Sequence, residues 1–489
     1  MDYLDMGIAG IHSALVKKEV TPLELVRLAL QKAKDNKENA FEYICEAEAL
    51  EFAATLVEPE EDNLLWGIPY ACKDNFSTKG IPTTASSNIL EGYVPLFDAT
   101  VVKKLAEKKA ILIGKTTLDE LAMGGTGTTG HKGTTFNPYD PDHKHLIGGS
   151  SCGSAVAVAA GIVPFAIGSD TGDSVRKPAS YGGLVGMKPT WGRISRYGLF
   201  CFAPSLDHVA YFTRSVEDSA TLLNALAGRD EMDSTSSFQP MDNYASGLDN
   251  ELKGKRIAII NGILDTIRNK KLISAFQKSV DQLILAGACI DYVDFPTELL
   301  HAIYPTYIVI SCAEATSSNA NLDGIKFGPY RGGATYQEVM SNARTKGFSE
   351  LIKRRFVIGS FALMSENREE LFERAQKARA RIVQVTNQIL ADHDAIYLPA
   401  SPSTAPVVGG SSDKLSDERL IADNYLQIGN FAGLPSITLP LTMLDGYPIG
   451  VNLTGKAFDE KNLFGIAKSV ERITGLEGLD VNVRKEALL

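Results

Sequence analysis

The most informative stretch of this chain is Gly148–Arg176, with the sequence GGSSCGSAVAVAAGIVPFAIGSDTGDSVR. Two turns rich in glycine and serine flank an alanine-rich segment and an apolar segment. Glycine adopts backbone angles that other residues avoid, and serine or aspartate favours the start of a helix, where backbone N–H groups lack partners. Ser150 and Ser174 therefore each lie in a turn that leads into a helix, 24 positions apart. In α/β proteins, turns between a strand and a helix hold reactive groups.

Helical and strand-like patterns alternate on both sides of this stretch. Thr21–Glu24 is a capping box with proline at the first helical position, and Asp98 precedes another amphipathic helix as its predicted cap. The apolar segment Trp66–Cys72 predicts a strand that ends at Lys73. This alternation predicts an α/β fold: a large, mixed, mostly parallel twisted sheet covered by helices on both faces. Further strands are predicted at Ala110–Ile113, Leu184–Met187, Arg256–Ile260, Cys289–Val293, Ala395–Leu398, Ser436–Leu439 and Pro448–Leu453.

We interpret the whole chain, residues 1–489, as one domain. Its core lies at about 66–215, a polar surface connection follows at about 229–250, and residues 251–489 complete the sheet and the substrate pocket. The clearest helical pattern runs from Glu366 to Asp392, where apolar residues repeat every three or four positions. Helices are also predicted over residues 272–283 and 463–473.

The composition is that of an ordinary globular protein, and it excludes several classes. Of 489 residues, 44% are hydrophobic and 22% charged, and the formal net charge of −10 argues against a protein that grips nucleic acid through a basic face. The six cysteines form no CxxC pair, which is typical of a reducing compartment. The N-terminal residues lack a signal-peptide pattern, and the most apolar run, Ala155–Ile167, is too short to cross a bilayer. These features predict a cytoplasmic protein without a membrane segment.

Three polar residues at strand ends or in glycine-rich turns are candidates for catalysis: Lys73, Ser150 and Ser174. A serine hydroxyl becomes a good nucleophile when a neighbouring group takes its proton. A lysine can be that group if burial lowers its pKa towards neutrality, and Lys73 follows the apolar residues Tyr70–Cys72. From the spacing alone, a lysine that merely extends from a strand end to solvent is an equally good interpretation.

Three other motifs suggest different chemistry. Gly149–Gly153 fits the G-x-S-x-G pattern of α/β-hydrolases with Ser151 as nucleophile, but the polar residues before it do not predict the strand that this turn requires. His143 and His145 are loop histidines without further ligands, a pattern more typical of solvated side chains than of a metal site. Gly114–Thr116 resembles part of a phosphate-binding loop but lacks that motif's first glycine. We therefore expect neither a metal nor ATP in this chain.

The runs GGSSCGSAVAVAAG and GSDTGDSVRKPASYGGLVGMKPTWGRIS, with the upstream KDN, resemble the amidase signature family of Ser-cisSer-Lys hydrolases. The resemblance covers nearly the whole chain and implies the amidase signature fold. Within the family the chain is similar to the A subunits of tRNA-dependent amidotransferases. This closer similarity extends over stretches such as KDNFSTKGIPTTASSNIL, SRYGLFCFAPSLDHVAYFTRSVEDSATLL, AEATSSNANLDGIKFG and NFAGLPSITLPL.

The resemblance implies a role for each catalytic candidate. Ser174 is the nucleophile, Ser150 is a bridging serine in a cis peptide, and Lys73 is the general base. Backbone N–H groups at the start of a helix hold the oxyanion of the tetrahedral intermediate. These N–H groups belong to Thr171, Gly172, Asp173 and Ser174.

The resemblance also assigns four side chains to glutamine binding. Arg355 binds the α-carboxylate and Asp423 the α-ammonium, and Tyr307 and Ser151 complete the set. The residue types suit these parts, because a guanidinium donates two parallel hydrogen bonds to a carboxylate. From the residues alone, a surface ion pair is the other interpretation of Arg355 and Asp423.

The implied reaction is hydrolysis of the side-chain amide of glutamine through a seryl acyl-enzyme. The ammonia passes to a partner that converts Glu-tRNA(Gln) to Gln-tRNA(Gln), in a heterotrimer with B and C subunits, and the tRNA binds mainly through the partner. ATP and Mg²⁺ are expected at the partner subunit, with no cofactor in this chain. Two alternatives stay open: a free-standing amidase acting on another amide, and a catalytically weakened subunit kept for assembly.

The sequence departs from the family pattern beside the nucleophile. The usual TGGS is TGDS here, which places Asp173 next to Ser174, and Lys177 replaces the usual glutamine three positions later. A carboxylate at position 173 would oppose the oxyanion, raise the pKa of the lysine base and adopt a positive φ only at a cost, while Lys177 would neutralise its charge. Cys152 replaces a glycine of the first turn, and the loop GGTGTTGHKGTTFNPYD lacks an acidic residue that is usual in the subgroup.

Overall fold

A computed structural model describes residues 2–248, 252–409 and 421–475. The described strands are Phe41–Ile44 (β1), Pro69–Lys73 (β2), Ile111–Thr116 (β3), Phe165–Asp170 (β4), Val185–Lys188 (β5), His208–Thr213 (β6), Arg256–Ile260 (β7), Cys289–Val293 (β8), Ala395–Pro399 (β9), Ser436–Leu444 (β10) and Tyr447–Gly455 (β11). The described α-helices are Ile8–Val16 (α1), Pro22–Asp35 (α2), Glu46–Thr55 (α3), Thr100–Glu107 (α4), Cys152–Ala159 (α5), Arg176–Gly182 (α6), Val216–Leu226 (α7), Asn261–Leu264 (α8), Lys270–Leu285 (α9), Thr297–Ser318 (α10), Tyr336–Gly347 (α11), Glu350–Leu363 (α12), Arg374–Asp392 (α13), Gln427–Phe431 (α14) and Glu460–Thr474 (α15). Short 3-10 turns lie at Tyr3–Asp5, Asn88–Leu90 and Glu120–Ala122.

All eleven described strands belong to one sheet, in the order β1-β3-β2-β4-β6-β5-β10-β11-β9-β7-β8. β2 runs parallel to β3 and β4, and β7 runs parallel to β8 and β9. The other six pairings are antiparallel, including the long hairpin of β10 and β11. The mixed sheet is confirmed, and parallel pairing predominates within these two groups of three strands rather than across the full width. The assignment of the chain to one domain stays a prediction.

Helices pack against this sheet and bury the Gly148–Arg176 stretch. α5 contacts β2 and β4, and α6 contacts β5, β10 and β11. α7 contacts β5 and β6, α9 contacts β8 and β10, and α15 contacts β10 and β11. α5 consists of small and apolar residues and is buried on every side, the pattern of a helix inside a core. β4 is likewise buried along its full length, as expected of a central strand with both faces covered.

Several sequence predictions hold in detail, and one cap was wrong. β7 and β8 have the predicted bounds, and the capping box of α2 is present, with Thr21 and Glu24 each accepting the other's backbone N–H. Asp98 does not cap α4, because Ala99 occupies the cap position. The Asp98 carboxylate instead accepts a hydrogen bond from Lys79 N at 2.8 Å.

The long helix predicted from Glu366 is shorter and less regular than the pattern suggested. The α-helix begins at Arg374, and Glu369–Glu373 before it form a π-helical turn, whose period a short apolar repeat cannot distinguish from the α-helical one. Some elements were not predicted, among them β1, β6, α3, α7, α11 and α12.

The predicted surface connection contains neither helix nor strand over residues 229–248, and its last residues, 249–250, lie outside the described residues. Two further parts of the predicted C-terminal half, 410–420 and 476–489, also lie outside them. Among the helices of the described ranges, none is both long and apolar enough to cross a lipid bilayer.

Candidate active site

The order of the strands brings the candidate lysine to both serine-containing turns. Lys73 is the last residue of β2, and β4 pairs with β2 in parallel, with Cys72 opposite Ile167. Parallel strands end at the same edge of a sheet, so the turn after β4 begins beside Lys73. α5 packs against both strands, and the turn that precedes α5 carries Ser150.

Lys73 is fully buried, and three serine hydroxyls surround its amine. The Nζ atom lies 2.8 Å from Ser150 Oγ, 2.9 Å from Ser151 Oγ and 2.9 Å from Ser169 Oγ. Burial lowers the pKa of Lys73 to about 7, against the opposing effect of nearby acidic groups. The amine is therefore substantially neutral near neutral pH, and a neutral amine can accept a proton.

Counting hydrogen bonds assigns different parts to the three hydroxyls. Ser151 Oγ donates its hydrogen to the Ser169 carbonyl at 3.0 Å, so it can only accept from the amine. Ser169 Oγ accepts from Asn75 Nδ2 at 3.0 Å and has a second lone pair for the amine. A neutral amine that donates its two N–H groups to Ser151 and Ser169 presents its lone pair to Ser150. In this arrangement Ser150 is the hydroxyl whose proton Lys73 accepts.

A buried ion pair supports the turn that follows β4. Asp170 and Arg176 are fully buried, with Arg176 Nη2 2.9 Å from Asp170 Oδ1. Asp170 also accepts the N–H groups of Val175 and Arg176, and Arg176 donates to the Gly172 carbonyl at 2.7 Å. Burial alone would raise the pKa of Asp170, but the adjacent guanidinium holds it well below its ordinary value. These bonds hold the turn at the Asp170 carboxylate and at the Gly172 carbonyl. Within the described residues, the N–H groups of residues 171–174 take no part in backbone hydrogen bonds.

Ser174 lies in this turn with only 3% of its surface exposed. Its carbonyl accepts a hydrogen bond from Ser151 N at 3.1 Å, which fixes the two serine turns relative to each other. Its hydroxyl makes no hydrogen bond within the described part of the chain, whereas the Ser150 hydroxyl contacts Lys73. The backbone at Asp173 is not in the left-handed region, so the cost expected for an aspartate at this position does not arise.

The Gly149–Ser150 peptide bond is cis, as the resemblance implied. Asp119 supports this turn, because its N–H donates to the Ser150 carbonyl at 3.1 Å and a Cβ at Gly149 would overlap its carboxylate. The same carboxylate orders the first part of the glycine-rich loop. It accepts four consecutive backbone N–H groups, those of Thr126, Gly127, Thr128 and Thr129.

Arg355, on α12, has a guanidinium that is only partly satisfied by the protein. Its Nε and Nη1 atoms are buried and make no hydrogen bond within the described residues. The guanidinium lies 5.5 Å from the ring centroid of Phe202, which meets Tyr307 edge-on at 6.4 Å. Tyr307 packs against Gly172, where an added Cβ would lie 3.1 Å from the tyrosine ring. A buried cation without an acceptor is costly unless a ligand supplies one, and this cation is separated from the Ser174 turn by aromatic rings.

Asp423 approaches the same turn through Lys177. The Lys177 ammonium is 2.6 Å from Asp173 Oδ2 and donates to the Asp423 carbonyl at 2.6 Å. Burial alone would lower the pKa of Lys177, but the carboxylates of Asp173 and Asp423 raise it well above its ordinary value. The negative charge that the sequence placed beside Ser174 is therefore paired with a lysine that stays charged.

Ser151 is one of the serines that contact the lysine. Its hydroxyl is fully buried and bonded to Lys73 and Ser169, so its contacts in the folded chain are with the base, and the substrate role that the resemblance implied stays a prediction. The same bonds engage the hydroxyl that a G-x-S-x-G nucleophile would use. Sequence reasoning did not single out Ser169 or Asp119. The only signal for Ser169 was its place at the end of an apolar strand.

Asp207 is a further buried residue that the sequence did not reveal. Its carboxylate accepts the Thr171 hydroxyl at 2.7 Å and the N–H groups of Phe202 and Ala203 at 2.9 and 3.0 Å. Burial raises the pKa of Asp207 to about 6, although these donors oppose the rise. Asp207 thus joins the turn after β4 to the loop that carries the ring beneath Arg355.

Side chains of the phosphate-loop-like motif and of the histidine pair bond to other residues of the protein. Lys115 forms a buried ion pair with Asp74 at 3.1 Å and donates to the Phe76 carbonyl, so its amine is engaged inside the core. His145 bonds to Asp140 at 2.6 Å and to the Tyr447 hydroxyl at 2.8 Å. Within the described ranges, no group of three or more His, Cys, Asp or Glu side chains is arranged to hold a metal ion.

Comparisons with known proteins agree with this geometry. The family model described as Amidase matches residues 24–464. The A subunit of glutamyl-tRNA(Gln) amidotransferase from Latilactobacillus sakei is 40% identical over 484 residues, which cover 97% of each chain. Its counterpart from Macrococcus caseolyticus is 39% identical over 474 residues, 96% of this chain and 97% of the relative.

Solved structures show the same likeness. The crystal structure of the glutamyl-tRNA(Gln) amidotransferase A subunit from Thermotoga maritima has a TM-score of 0.81 and 35% identity, and 98% of each chain is covered. The native peptide amidase of Stenotrophomonas maltophilia has a TM-score of 0.79 and 27% identity, with 97% of this chain and 98% of that chain covered. With the family model matching most of its length and relatives of this identity covering nearly all of it, the chain belongs to the amidase signature family.

Proposed function

We propose that this chain is the glutaminase subunit of a tRNA-dependent amidotransferase, which hydrolyses glutamine and supplies ammonia for the conversion of Glu-tRNA(Gln) to Gln-tRNA(Gln). The observation that carries the hydrolytic chemistry is the buried Lys73 amine 2.8 Å from Ser150 Oγ. The amidotransferase role is supported by the full-length likeness to A subunits at 40% identity, against 27% for the peptide amidase.

The first half of the reaction would form an acyl-enzyme. Ser174 Oγ attacks the side-chain carbonyl carbon of glutamine while its proton passes to Ser150 and the Ser150 proton passes to the Lys73 lone pair. The carbonyl oxygen becomes an oxyanion, which the unused N–H groups of residues 171–174 are free to bind. A pKa of about 7 suits Lys73 to this task, because a base that titrates near the working pH both accepts and returns a proton.

The second half would release both products. The protonated Lys73 returns its proton through Ser150 to the leaving nitrogen, the C–N bond breaks, and ammonia departs. Water then attacks the seryl ester under the same base, giving glutamate and restoring the Ser174 hydroxyl. Each proton taken by Lys73 is returned within the cycle, so no external acid is consumed.

Glutamine recognition would use the two charged groups on its α-carbon. The Nε and Nη1 atoms of Arg355 lack acceptors within the described residues and suit the α-carboxylate. Asp423 would pair with the α-ammonium, and Tyr307 would form the wall between the carboxylate end and the Gly172 turn.

The proposal also names the partner subunits and the ligands that they bind. Relatives of this chain are named as one subunit of an amidotransferase, and we propose a cytoplasmic heterotrimer with B and C subunits. Glu-tRNA(Gln), ATP and Mg²⁺ would bind at the partner subunit, where the activated glutamyl group meets the ammonia.

The proposal is tested by Ser174→Ala in the complex assembled with the partner subunits. Amidation of Glu-tRNA(Gln) with glutamine should fall to background, while amidation with added ammonium chloride should stay at the wild-type rate. Equal loss with both nitrogen donors would contradict the assignment of Ser174. Ammonia release by the isolated wild-type chain from diverse amides would favour a free-standing amidase, and no release in either setting would favour a subunit kept for assembly.

A further inference from the structure

Asp173 and Lys177 place a pair of opposite charges directly beside the proposed nucleophile. Asp173 precedes Ser174 in the turn, and Lys177 lies one helical turn further along. Their charged atoms are 2.6 Å apart, and only 15% and 13% of their side chains are exposed. Exposed ion pairs of this spacing contribute little, but charges withdrawn from water interact strongly and are costly when one partner is lost. Because this pair is largely buried, its charges act mainly on the turn that contains Ser174.

Lys177 has a second partner, which connects the pair to the ammonium end of the proposed glutamine site. Its Nζ atom donates to the Asp423 carbonyl at 2.6 Å, and the negative charge of Asp423 is near enough to raise the pKa of Lys177. Asp423 is the residue proposed to bind the α-ammonium of glutamine. Lys177 and that ammonium would consequently lie in the field of one carboxylate, with Asp173 as the counter-ion of Lys177.

The balance of charges shows what each member contributes. With both present, Asp173 and Lys177 cancel, and Asp423 keeps one net negative charge for the ammonium. Without the charge of Asp173, Lys177 would neutralise Asp423 and repel the ammonium. Without the charge of Lys177, an unpaired carboxylate would stand among the N–H groups that receive the oxyanion.

We propose that Asp173 and Lys177 act as one charge-compensated unit, in which Asp173 preserves ammonium recognition at Asp423 and Lys177 keeps the oxyanion turn electrically neutral. Both are positioning residues: Asp173 acts on substrate specificity through Asp423, and Lys177 acts on the reaction rate through the oxyanion turn. This inference rests on the proposed glutaminase function and names how the same site distinguishes its substrate.

The test uses the full chain, assembled with its partner subunits, carrying Asp173→Asn, Lys177→Gln or both. Asparagine has the shape of aspartate, and glutamine keeps an N–H donor for the Asp423 carbonyl, so each single change removes one charge. The two substrates are glutamine and 4-carbamoylbutanoate, which has the same amide and carboxylate but no ammonium. Ammonia release gives kcat and KM for each.

The two single variants should affect different parameters. Asp173→Asn should raise KM for glutamine by about three- to a hundredfold, the range of coupling between contacting charges, and leave KM for 4-carbamoylbutanoate unchanged. Lys177→Gln should lower kcat on both substrates by about the same range without raising KM for glutamine. The double variant should recover most of both losses, because it restores the balance of charge.

Additive losses in the double variant, or an equal rise of both KM values in Asp173→Asn, would overturn the inference and leave the proposed function standing. A wild-type complex that hydrolyses neither amide would overturn the proposed function and this inference with it. If Lys177→Gln is too slow for steady-state kinetics, calorimetric binding of glutamine in a Ser174→Ala background measures affinity alone. There too, Asp173→Asn should weaken binding and the double variant should restore it.

Discussion

Replacing Ser169 by alanine tests the arrangement around Lys73 through the pH dependence of glutamine hydrolysis. The change removes the hydroxyl 2.9 Å from the amine and leaves the Ser150 contact at 2.8 Å in place. The proposed reaction needs a neutral Lys73, so kcat/KM of the wild-type enzyme should rise with pH to a plateau. The midpoint of that rise should lie at about 7, the pKa of the buried amine.

The size and sign of the effect follow from the lost hydrogen bond. A hydrogen bond to a charged group contributes about 1.5–3 kcal/mol, and one between neutral groups about 0.5–1.5 kcal/mol. The hydroxyl of Ser169 therefore favours the ammonium over the neutral amine by about 1–1.5 kcal/mol, which corresponds to about one pKa unit. Without it the charged form is less favourable, the pKa of Lys73 falls, and the midpoint should move to lower pH by about one unit.

The assay is the initial rate of ammonia release by the assembled complex from about pH 5.5 to 9, at glutamine concentrations below KM. Ser154→Ala is the matched control. Ser154 is an equally buried serine of the same stretch, but it bonds to Thr116 Oγ1 at 2.6 Å and to the Ile167 carbonyl at 2.9 Å instead of to the lysine. Its midpoint should equal that of the wild type. An unchanged or raised midpoint in Ser169→Ala would refute the assignment of Lys73 as the titrating base.

Three further substitutions test substrate binding by Arg355, the effect of the buried Lys73 on stability, and the support that Asp119 gives to the Ser150 turn. Arg355→Ala should raise KM for glutamine by about a hundredfold, because the variant loses a buried contact with the α-carboxylate. Arg354→Ala, on the exposed side of the same helix, is the control and should leave KM unchanged. Equal effects of the two substitutions would contradict the substrate role of Arg355. Lys73→Met should abolish hydrolysis but raise the free energy of unfolding at pH 7 by about 2–4 kcal/mol, since the wild type buries an amine whose pKa falls from 10.5 to about 7. Because the unfolded chain binds the extra proton, wild-type stability rises with pH until the lysine of the unfolded chain titrates at its ordinary pKa of 10.5. The difference in the free energy of unfolding, measured in urea, should therefore shrink to about 1 kcal/mol by about pH 10, and a difference that stays constant would argue against a neutral buried amine. Asp119→Asn should lower the free energy of unfolding by about 2–4 kcal/mol, because an amide nitrogen cannot accept the N–H groups that the carboxylate holds, and an unchanged urea midpoint would show that the loop does not depend on them.

The fold class could be predicted from local patterns, because apolar segments mark the strands and glycine with serine marks the turns at their ends. For the same reason, β7 and β8 could be bounded correctly from their apolar residues. The convergence of the lysine with the two serine turns came from the family resemblance, since spacing alone left Lys73 with an equally good surface interpretation. In the folded chain β2 pairs with β4 in parallel, which brings Lys73 and the turn after β4 to one edge of the sheet.

Contacts between distant segments could not be predicted in this way. Asp119 has no motif of its own, and only the folded chain reveals that it holds four amides of the glycine-rich loop and excludes any side chain at Gly149. The resemblance assigned Ser151 to the substrate, whereas in the folded chain its hydroxyl lies 2.9 Å from the Lys73 amine. The ion pair of Asp173 with Lys177 was foreseeable from their spacing in a helix, whereas the bond from Lys177 to Asp423 joins parts of the chain 246 positions apart.

Arg176 ties the reactive turn to a segment that is synthesised much later. Its guanidinium donates to the Leu426 carbonyl at 2.8 Å and to Asn430 Oδ1 at 2.5 Å, 250 and 254 positions further along the chain. A nascent polypeptide that ends at Arg176 has Asp170 and Gly172 as acceptors for this guanidinium but lacks those of Leu426 and Asn430. We expect the turn to become fully ordered only after these C-terminal acceptors are synthesised, so an incomplete chain would lack an ordered oxyanion turn and would not hydrolyse glutamine.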